Sequence, residues 1–269
     1  MSILKPPVAA DYARFIERSR HITAIDLRAY KPVQMERRLR SLMIRKSING
    51  FDSYAEILKR DKVEREEFER HVTINVTQFY RDARIFATFE RALVMLAEKK
   101  NGPLRAWSAG CSNGSEPYTL AMILSSIAPG LSHRIYATDI DEASLQHARS
   151  GQGYTRADID TLPKAFLNKF MTRDPATDTF SVQPQIKTMV QFARHDLVHE
   201  TYRRGFDLIL CRNVVIYFSE ETKKKIFAGF YASLNPGGLL FIGASEVLKE
   251  LRTIGYTQLE HGLYKRPDN

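Results

Sequence analysis

Apolar positions recur at two different spacings along the chain, and the change comes near residue 100. Before it they fall at helical intervals in VAADYARFIERSR, QMERRLRSLMIRK, FDSYAEILKRD and DARIFATFERALVMLAEKK, with no convincing strand between them. Asp82 stands where it would cap the last of these helices, and Asn101-Gly102-Pro103 stops it. Beyond that point short apolar runs alternate with helical stretches: LRAWSA then EPYTLAMILSSIA, RIYATDI then EASLQHAR, TMVQFAR, FDLILC then SEETKKKIFAGFYASL, and GLLFIGAS. Such alternation predicts a parallel sheet flanked by helices, an α/β architecture. The stretches TQLEHG and LYKRP predict one added antiparallel strand. Residues 151–188 break the rhythm with a turn-rich sequence too long for an ordinary connection. It predicts a short helix over PKAFLNKF and a hairpin pairing Phe180–Val182 with Ile186–Met189.

Composition narrows the class. With 43% apolar and 26% charged residues, the 269-residue chain is an ordinary globular protein of one large domain or a domain with a companion. No apolar run is long enough to span a bilayer, and MSILKPPVAADYARF lacks the layout of a secretory signal. The expectation is a cytoplasmic protein whose two cysteines, Cys111 and Cys211, stay reduced. The first hundred residues carry +7 of the net +9 charge, so the basic surface is concentrated there. It suits an acidic partner, and charge alone leaves nucleic acid, anionic lipid and acidic protein open.

In an open parallel sheet the ligand site lies beyond the carboxyl ends of the strands. After the first strand comes Ala109-Gly110-Cys111-Ser112-Asn113-Gly114-Ser115-Glu116, a strand-to-helix turn whose glycines let a ligand approach the backbone. A full dinucleotide G-x-G-x-x-G is absent. Glu116 either caps the following helix or binds the ammonium of an amino-acid-like ligand. Asp139 ends the second strand, 25 residues past Gly114, near the spacing of a ribose-binding carboxylate, and Asp141 suits a helix N-cap. His195-Asp196-Leu197 and Cys211-Arg212-Asn213-Val214 end two further strands. Gly110 to Gly114 also fits the G-x-S-x-G elbow of hydrolases, but that elbow follows several strands of its sheet, whereas only helices precede Leu104 here.

Taken together, NVTQFYRD (75–82), WSAGCSNGSEPYTLA (107–121), ATDID (137–141), ARSGQGY (148–154), FDLILCRNVVIYF (206–218) and LNPGGLLFIGASE (234–246) resemble the chemotaxis receptor glutamate methyltransferases. The resemblance implies an all-helical N-terminal domain (1–74) for receptor docking and a linker with a helix (75–101). It implies a doubly wound, Rossmann-like class I methyltransferase domain (102–269) with a small β-subdomain inserted at about 155–190. S-adenosylmethionine would be the methyl donor and S-adenosylhomocysteine the product, with no metal. By motif, Asn75, Thr77 and Arg81 look like donor-site residues of the linker, together with Gly110 of the strand turn. Glu116 looks like the contact to the donor's amino group, and Asp139 like the ribose ligand. Asp196 and Leu197 fall where the family lines the adenine pocket, although it often has Asn at the first. Asn213, Val214 and Tyr217 match its R-N-V-x-I-Y-F block.

A glutamate carboxylate is ionised at neutral pH and is itself the nucleophile, so the expected chemistry needs positioning and no general base. Arg81 and Tyr217 are the candidates for holding that carboxylate. In QMERRLRSLMIRK, Arg38 and Arg45 share one flank of the apolar stripe and Arg37 and Arg40 lie on the far side. Such a face is commonly just solvated; the resemblance assigns it to docking on the helical bundle of a methyl-accepting chemoreceptor, with recruitment to receptor clusters. Family members that tether to a C-terminal receptor peptide carry a Gly-x-Gly turn in the subdomain. MTRDPATDTFSV has none, so no tether is expected. Nucleic-acid methyltransferases usually show D/N-P-P-Y/F or a Pro-Cys nucleophile, which this sequence lacks; a non-catalytic receptor adaptor on the same fold is the other alternative.

Overall fold

A computed structural model describes residues 10–23, 25–73, 75–243, 246 and 250–268. Two compact units form: one holds the chain before Asn75 together with Tyr217–Lys223, the other holds Asn75–Ile216 and Lys224–Asn269. The linker residues 75–101 are therefore part of the second unit.

In the first unit, helices α1 (Ala10–Ser19), α2 (Pro32–Arg45), α3 (Phe51–Arg60) and α4 (Lys62–Thr73) surround an aromatic core. Phe15 stacks on Tyr54 at 5.9 Å and meets Phe51 at 5.0 Å and Phe68 at 6.1 Å, all four fully buried. Met35, Leu39, Leu42 and Met43 supply the buried stripe of α2 at the spacing read from the sequence. Helix α4 was not visible in the apolar pattern: KVEREEFERHVT buries only Phe68 and Val72, and the rest is charged. Charge also fastens it, since Lys46 reaches Glu64 and Glu67 at 2.6 Å each and the Tyr54 hydroxyl donates to Glu64. The segment that includes Tyr217–Lys223 closes on this unit through the amide of Lys31 on the Tyr217 carbonyl and that of Ser219 on the Ala29 carbonyl.

The second unit opens with α5 (Ala83–Lys100) and continues with β1 (Arg105–Ala109), α6 (Ser115–Ile127), β2 (Arg134–Asp139) and α7 (Glu142–Ser150). After α8 (Arg156–Ile159), α9 (Lys164–Phe170), β3 (Met171–Asp174), β4 (Thr179–Val182) and α10 (Pro184–Lys187) come β5 (Val190–Arg194) and β6 (Phe206–Cys211). Then follow α11 (Glu220–Ser233), of which Glu220–Lys223 count with the first unit, β7 (Leu234–Ile242), α12 (Glu250–Ile254), β8 (Thr257–Glu260) and β9 (Leu263–Lys265). The seven-stranded sheet runs β5-β2-β1-β6-β7-β9-β8. The first five strands are parallel, and β9 is antiparallel to both its neighbours. The chain reverses direction about β1: successive strands go outward to β5, then return to β6 beside β1. That reversal leaves a crevice at the carboxyl ends of β1 and β6, the usual ligand position in such sheets. The last turn-rich stretch yields two strands where the apolar pattern suggested one.

Packing on the sheet is aromatic on both faces. Phe89 of α5 lies parallel to Phe241 of β7 at 4.4 Å, while Trp107 of β1 meets Tyr202, Phe206 and Phe230 at 5.1 to 5.5 Å. In the insertion, β4 pairs with β3, Met171 opposite Val182. Of the expected partner Ile186–Met189, the first two residues are instead in α10 and the last two in the turn after it, because Pro184 at the helix's first position favours a helical start and removes a ladder donor. Asp82 also departs from expectation. It precedes α5 in a left-handed conformation (φ +61°) and makes no side-chain cap. The start of the VAADYARFIERSR stretch at Val8–Ala9 and the end of GLLFIGAS at Ala244–Ser245 lie outside the described residues. Among the described residues, no helix is long and apolar enough to cross a membrane.

Phe89→Ala removes one ring of the stacked pair from a fully buried position and should cost about 3–5 kcal/mol of stability. Denaturant unfolding followed by circular dichroism measures it, and a loss below about 1 kcal/mol would contradict this packing.

Candidate active site

The turn after β1 is shaped by backbone that most residues avoid. Gly110 (φ +82°), Ser112 (φ +47°) and Gly114 (φ +88°) are all left-handed. The amides of Gly110 and Cys111 both donate to the Thr138 carbonyl, at 2.8 and 2.9 Å, which bends the chain across the end of β2. A Cβ on Gly110 would stand 2.4 Å from Val214 Cγ2, so the turn and the loop after β6 are in contact only because this residue is glycine. The Ser112 hydroxyl is buried and has no partner among the described residues. The turn follows the first strand of the sheet, not a late one, which sets it apart from a hydrolase elbow.

Two carboxylates close this edge. Asp139, at the end of β2, accepts from the Ser112 amide at 2.7 Å and from the Asp141 amide at 3.0 Å. Burial raises its pKa, and these backbone donors work against the rise. Glu116, in the first turn of α6, accepts from the Ser108 hydroxyl at 2.8 Å and lies 3.7 Å from a guanidinium nitrogen of Arg212. The carboxylate is thus engaged from β1 by Ser108 and from the loop after β6 by Arg212. Its place in the first turn also suits the helix dipole, so both readings of Glu116 stand. Burial raises Glu116, while Arg212, the Ser108 hydroxyl and Arg81 lower it.

The linker reaches the same edge. Asn75 donates to Asp141, whose other oxygen caps α7 through the Ala143 amide at 3.0 Å. Asn75 thus touches the second-strand corner through a neighbour of Asp139. Thr77 is half-buried in the irregular stretch that follows. Arg81 donates to the Val76 carbonyl at 2.8 Å and contributes to the field at Glu116. After β5, Asp196 accepts from the Val198 amide at 2.7 Å and lies 2.9 Å from His199, the arrangement of a strand-end turn, and Leu197 is half-buried beside it. The His195 amide donates to the Asp139 carbonyl at 2.9 Å, which brings that turn to the end of β2. Asn213 is left-handed (φ +59°) with a buried carboxamide oxygen that has no partner among the described residues. Gly110, Glu116, Asp139, Asn213 and Val214 therefore cluster at the ends of β1, β2 and β6. Tyr217 ends the short helical turn Val215–Tyr217 and belongs to the first unit.

Two participants were missed in the sequence. Glu246 is buried and accepts from the amides of Asn213 (2.8 Å), Val215 (3.0 Å) and Gly243 (2.7 Å), which fixes the loop after β6 to the end of β7. Arg212 is buried immediately after the wholly buried β6. A charged residue directly following such an apolar run was the available signal. Cys111 and Cys211 are buried, and burial pushes both thiols well up, so neither is poised as a thiolate.

A ligand that fits this edge has hydroxyls for Asp139, a cation for Glu116, and donors or acceptors for the orphaned Ser112 and Asn213 side chains. An amino-acid-bearing nucleoside has these groups. Residues 10–73 match the family described as "CheR methyltransferase, all-alpha domain", and residues 75–261 match "CheR methyltransferase, SAM binding domain". A "Chemotaxis protein methyltransferase" of Listeria monocytogenes is 36% identical over 260 residues, covering 96% of this chain and 98% of that protein. Its namesake in Escherichia coli is 35% identical over 227 residues, covering 81% and 76%. That of Borreliella burgdorferi is 34% identical over 245 residues, covering 86% of each.

Gly110→Ala should destabilise the protein by about 2–5 kcal/mol, adding left-handed strain to overpacking against Val214. Val214→Ala in that background should recover about 1–3 kcal/mol of it, the overpacking part. Strict additivity of the two substitutions in a double-mutant cycle would contradict the contact.

Proposed function

We propose, from the premise that this chain belongs to the CheR methyltransferase family, that it transfers a methyl group from S-adenosylmethionine to glutamate side chains of bacterial chemoreceptors. The products are glutamate methyl esters and S-adenosylhomocysteine, and the process served is chemotactic adaptation. The observation that carries the reading is the pair of carboxylates at the carboxyl edge of adjacent β1 and β2: Asp139, buried at the end of β2, and Glu116, its side chain 11% exposed, in the first turn of α6.

Asp139 is the acceptor for the two ribose hydroxyls, and Glu116 is the acceptor for the donor's ammonium. Asn213, with its unpartnered carboxamide oxygen, and Val214 border the same edge. Asp196 and Leu197 border the base, and Asn75 and Thr77 line the linker side. The bound donor supplies a methyl group already activated by the sulfonium charge. The chain's own task is then alignment of a carboxylate oxygen behind that methyl carbon, an entropic contribution that needs no proton transfer. Arg81 presents a planar fork suited to the acceptor carboxylate, and Tyr217 takes the same task by its place in the family block. Their grip has to leave the carboxylate enough charge to remain a nucleophile.

The helical unit is the docking element in this reading. On α2, Arg40 is engaged by Asp11 and Glu36 and lies 4.6 Å over the Phe51 ring, and Arg38 donates to the His71 carbonyl. Arg37 and Arg45 are exposed. The latter two are the better placed to meet acidic receptor helices, while Arg38 and Arg40 hold the helix that presents them. Docking proceeds without a receptor C-terminal tether, at receptor clusters in the cytoplasm.

Methyl-labelled donor and chemoreceptor membranes test the activity: label should enter the receptor and leave as methanol in alkali, and alkali-stable label would contradict an ester. Asp139→Asn should weaken S-adenosylhomocysteine binding about tenfold to a hundredfold, the loss of a charge-assisted acceptor, as read by calorimetry. The double reversal Arg37→Glu with Arg45→Glu should slow receptor methylation at low salt and leave that affinity unchanged. An unaltered rate would remove the docking role.

A further inference from the structure

Arg212 is a cation in a place where packing alone would be better served by an apolar side chain. Its side chain is only 2% exposed, with the guanidinium 4.8 Å from the Phe86 ring and 5.1 Å from the Phe241 ring. Burying such a charge is costly unless it is paired and hydrogen-bonded. Its pairing is divided between two places that are far apart in sequence. One terminal nitrogen donates to the Arg81 carbonyl at 2.9 Å and to the Asp82 carboxylate at 2.8 Å. The other faces Glu116 at 3.7 Å. The first contact falls on a strained stretch, since Tyr80 (φ +55°) and Asp82 (φ +61°) are both left-handed on either side of Arg81.

We propose that Arg212 is a positioning residue for methyl transfer, one buried guanidinium that sets Glu116 toward the ammonium end of the donor and the Arg81 backbone toward the acceptor carboxylate. The inference rests on the function proposed above. It explains why the charge is retained between two aromatic rings: a Met or Leu there would pack but would release both loops. The planar fork matters as well as the charge, because a lysine has no second, rigidly spaced nitrogen with which to serve both places at once.

Glu116 is faced by Arg212 from the end of β6, by Arg81 from the linker, by Ser108 from β1 and by Glu246 from beyond β7. Cys111 and Cys211 stand in the same field. Burial and Glu246 favour its protonated form, and Arg212 is the foremost influence against it. Without Arg212, Glu116 takes up its proton at a higher pH, and a neutral carboxyl no longer pairs with an ammonium.

The test compares the unsubstituted protein with R212M, R212K and the double variant R212M/E116Q. Calorimetric binding of S-adenosylhomocysteine is followed from pH 6 to 8, and initial rates are measured on chemoreceptor membranes. In R212M the fall in affinity on acidification should begin at a higher pH than in the unsubstituted protein, at about tenfold per pH unit. The part of that fall that R212M adds should vanish in R212M/E116Q, which has lost the Glu116 carboxylate. R212K should bring the binding profile back while kcat stays at least about tenfold low and KM for the donor returns to normal, because the Arg81 side is still released. A pH profile unchanged in R212M, or an R212K enzyme with normal kcat, would overturn the proposal and leave Arg212 a packing residue. Should R212M fail to fold, the kcat of R212K decides alone. Failure of the unsubstituted protein to bind S-adenosylhomocysteine at any pH would instead strike the function on which the inference rests.

Discussion

Charge-bearing groups taken out of water need fixed partners, and the carboxyl end of this parallel sheet gathers Asp139, Arg212 and Glu246, all buried, and Glu116, 11% exposed, within a few loops. Each is held at least in part by donors or charges from another segment of the chain. Asp139 takes two backbone amides, Glu246 takes three, Glu116 has a hydroxyl and a guanidinium, and Arg212 has a carbonyl and two carboxylates. Satisfying these groups ties together loops that the sheet alone would leave independent. The crevice at the topological reversal between β1 and β6 becomes a fixed site in consequence.

Backbone strain follows the same loops. Of the seven described non-glycine residues with positive φ, four (Tyr80, Asp82, Ser112 and Asn213) lie just ahead of α5 or directly after β1 and β6, while Ser47, Asn101 and Asp178 lie in turns elsewhere. Each such residue costs on the order of 1–3 kcal/mol, tolerated only where surrounding contacts over-determine it. The proposed chemistry gives a reason for the expense. Transfer of a sulfonium methyl to an ionised carboxylate asks for alignment rather than proton movement, so rigidity of the flanking loops is the main thing a protein can add.

The sheet was legible because its strands are short apolar runs ended by turns: the five parallel strands fall on those runs, and α6, α7 and α11 on the helical stretches between them. Elements that rely on other forces were not. Helix α4 is held by two buried residues and a lysine between two glutamates, which leaves no apolar stripe to read. The hairpin partner of β4 was assigned to the wrong side because Pro184 turns the following residues into a helix. Candidate residues with a local signature, such as Gly110 in a tight turn and Asp139 at a strand end, were found. Arg212 and Glu246 act through partners about 130 and 30 residues away in sequence, which no local spacing reveals. For the same reason Asp82 read as a cap from sequence, whereas its carboxylate serves Arg212.

The account stands on a division of labour between two carboxylates, one for the nucleoside and one for the amino-acid tail. Calorimetry comparing S-adenosylhomocysteine with 5′-methylthioadenosine, which keeps the nucleoside and loses the tail, measures that division directly. The full product should bind at least tenfold more tightly, with the difference abolished by Glu116→Gln, since a charged contact of this kind contributes about 1.5–3 kcal/mol. Equal affinities for the two ligands would contradict the account.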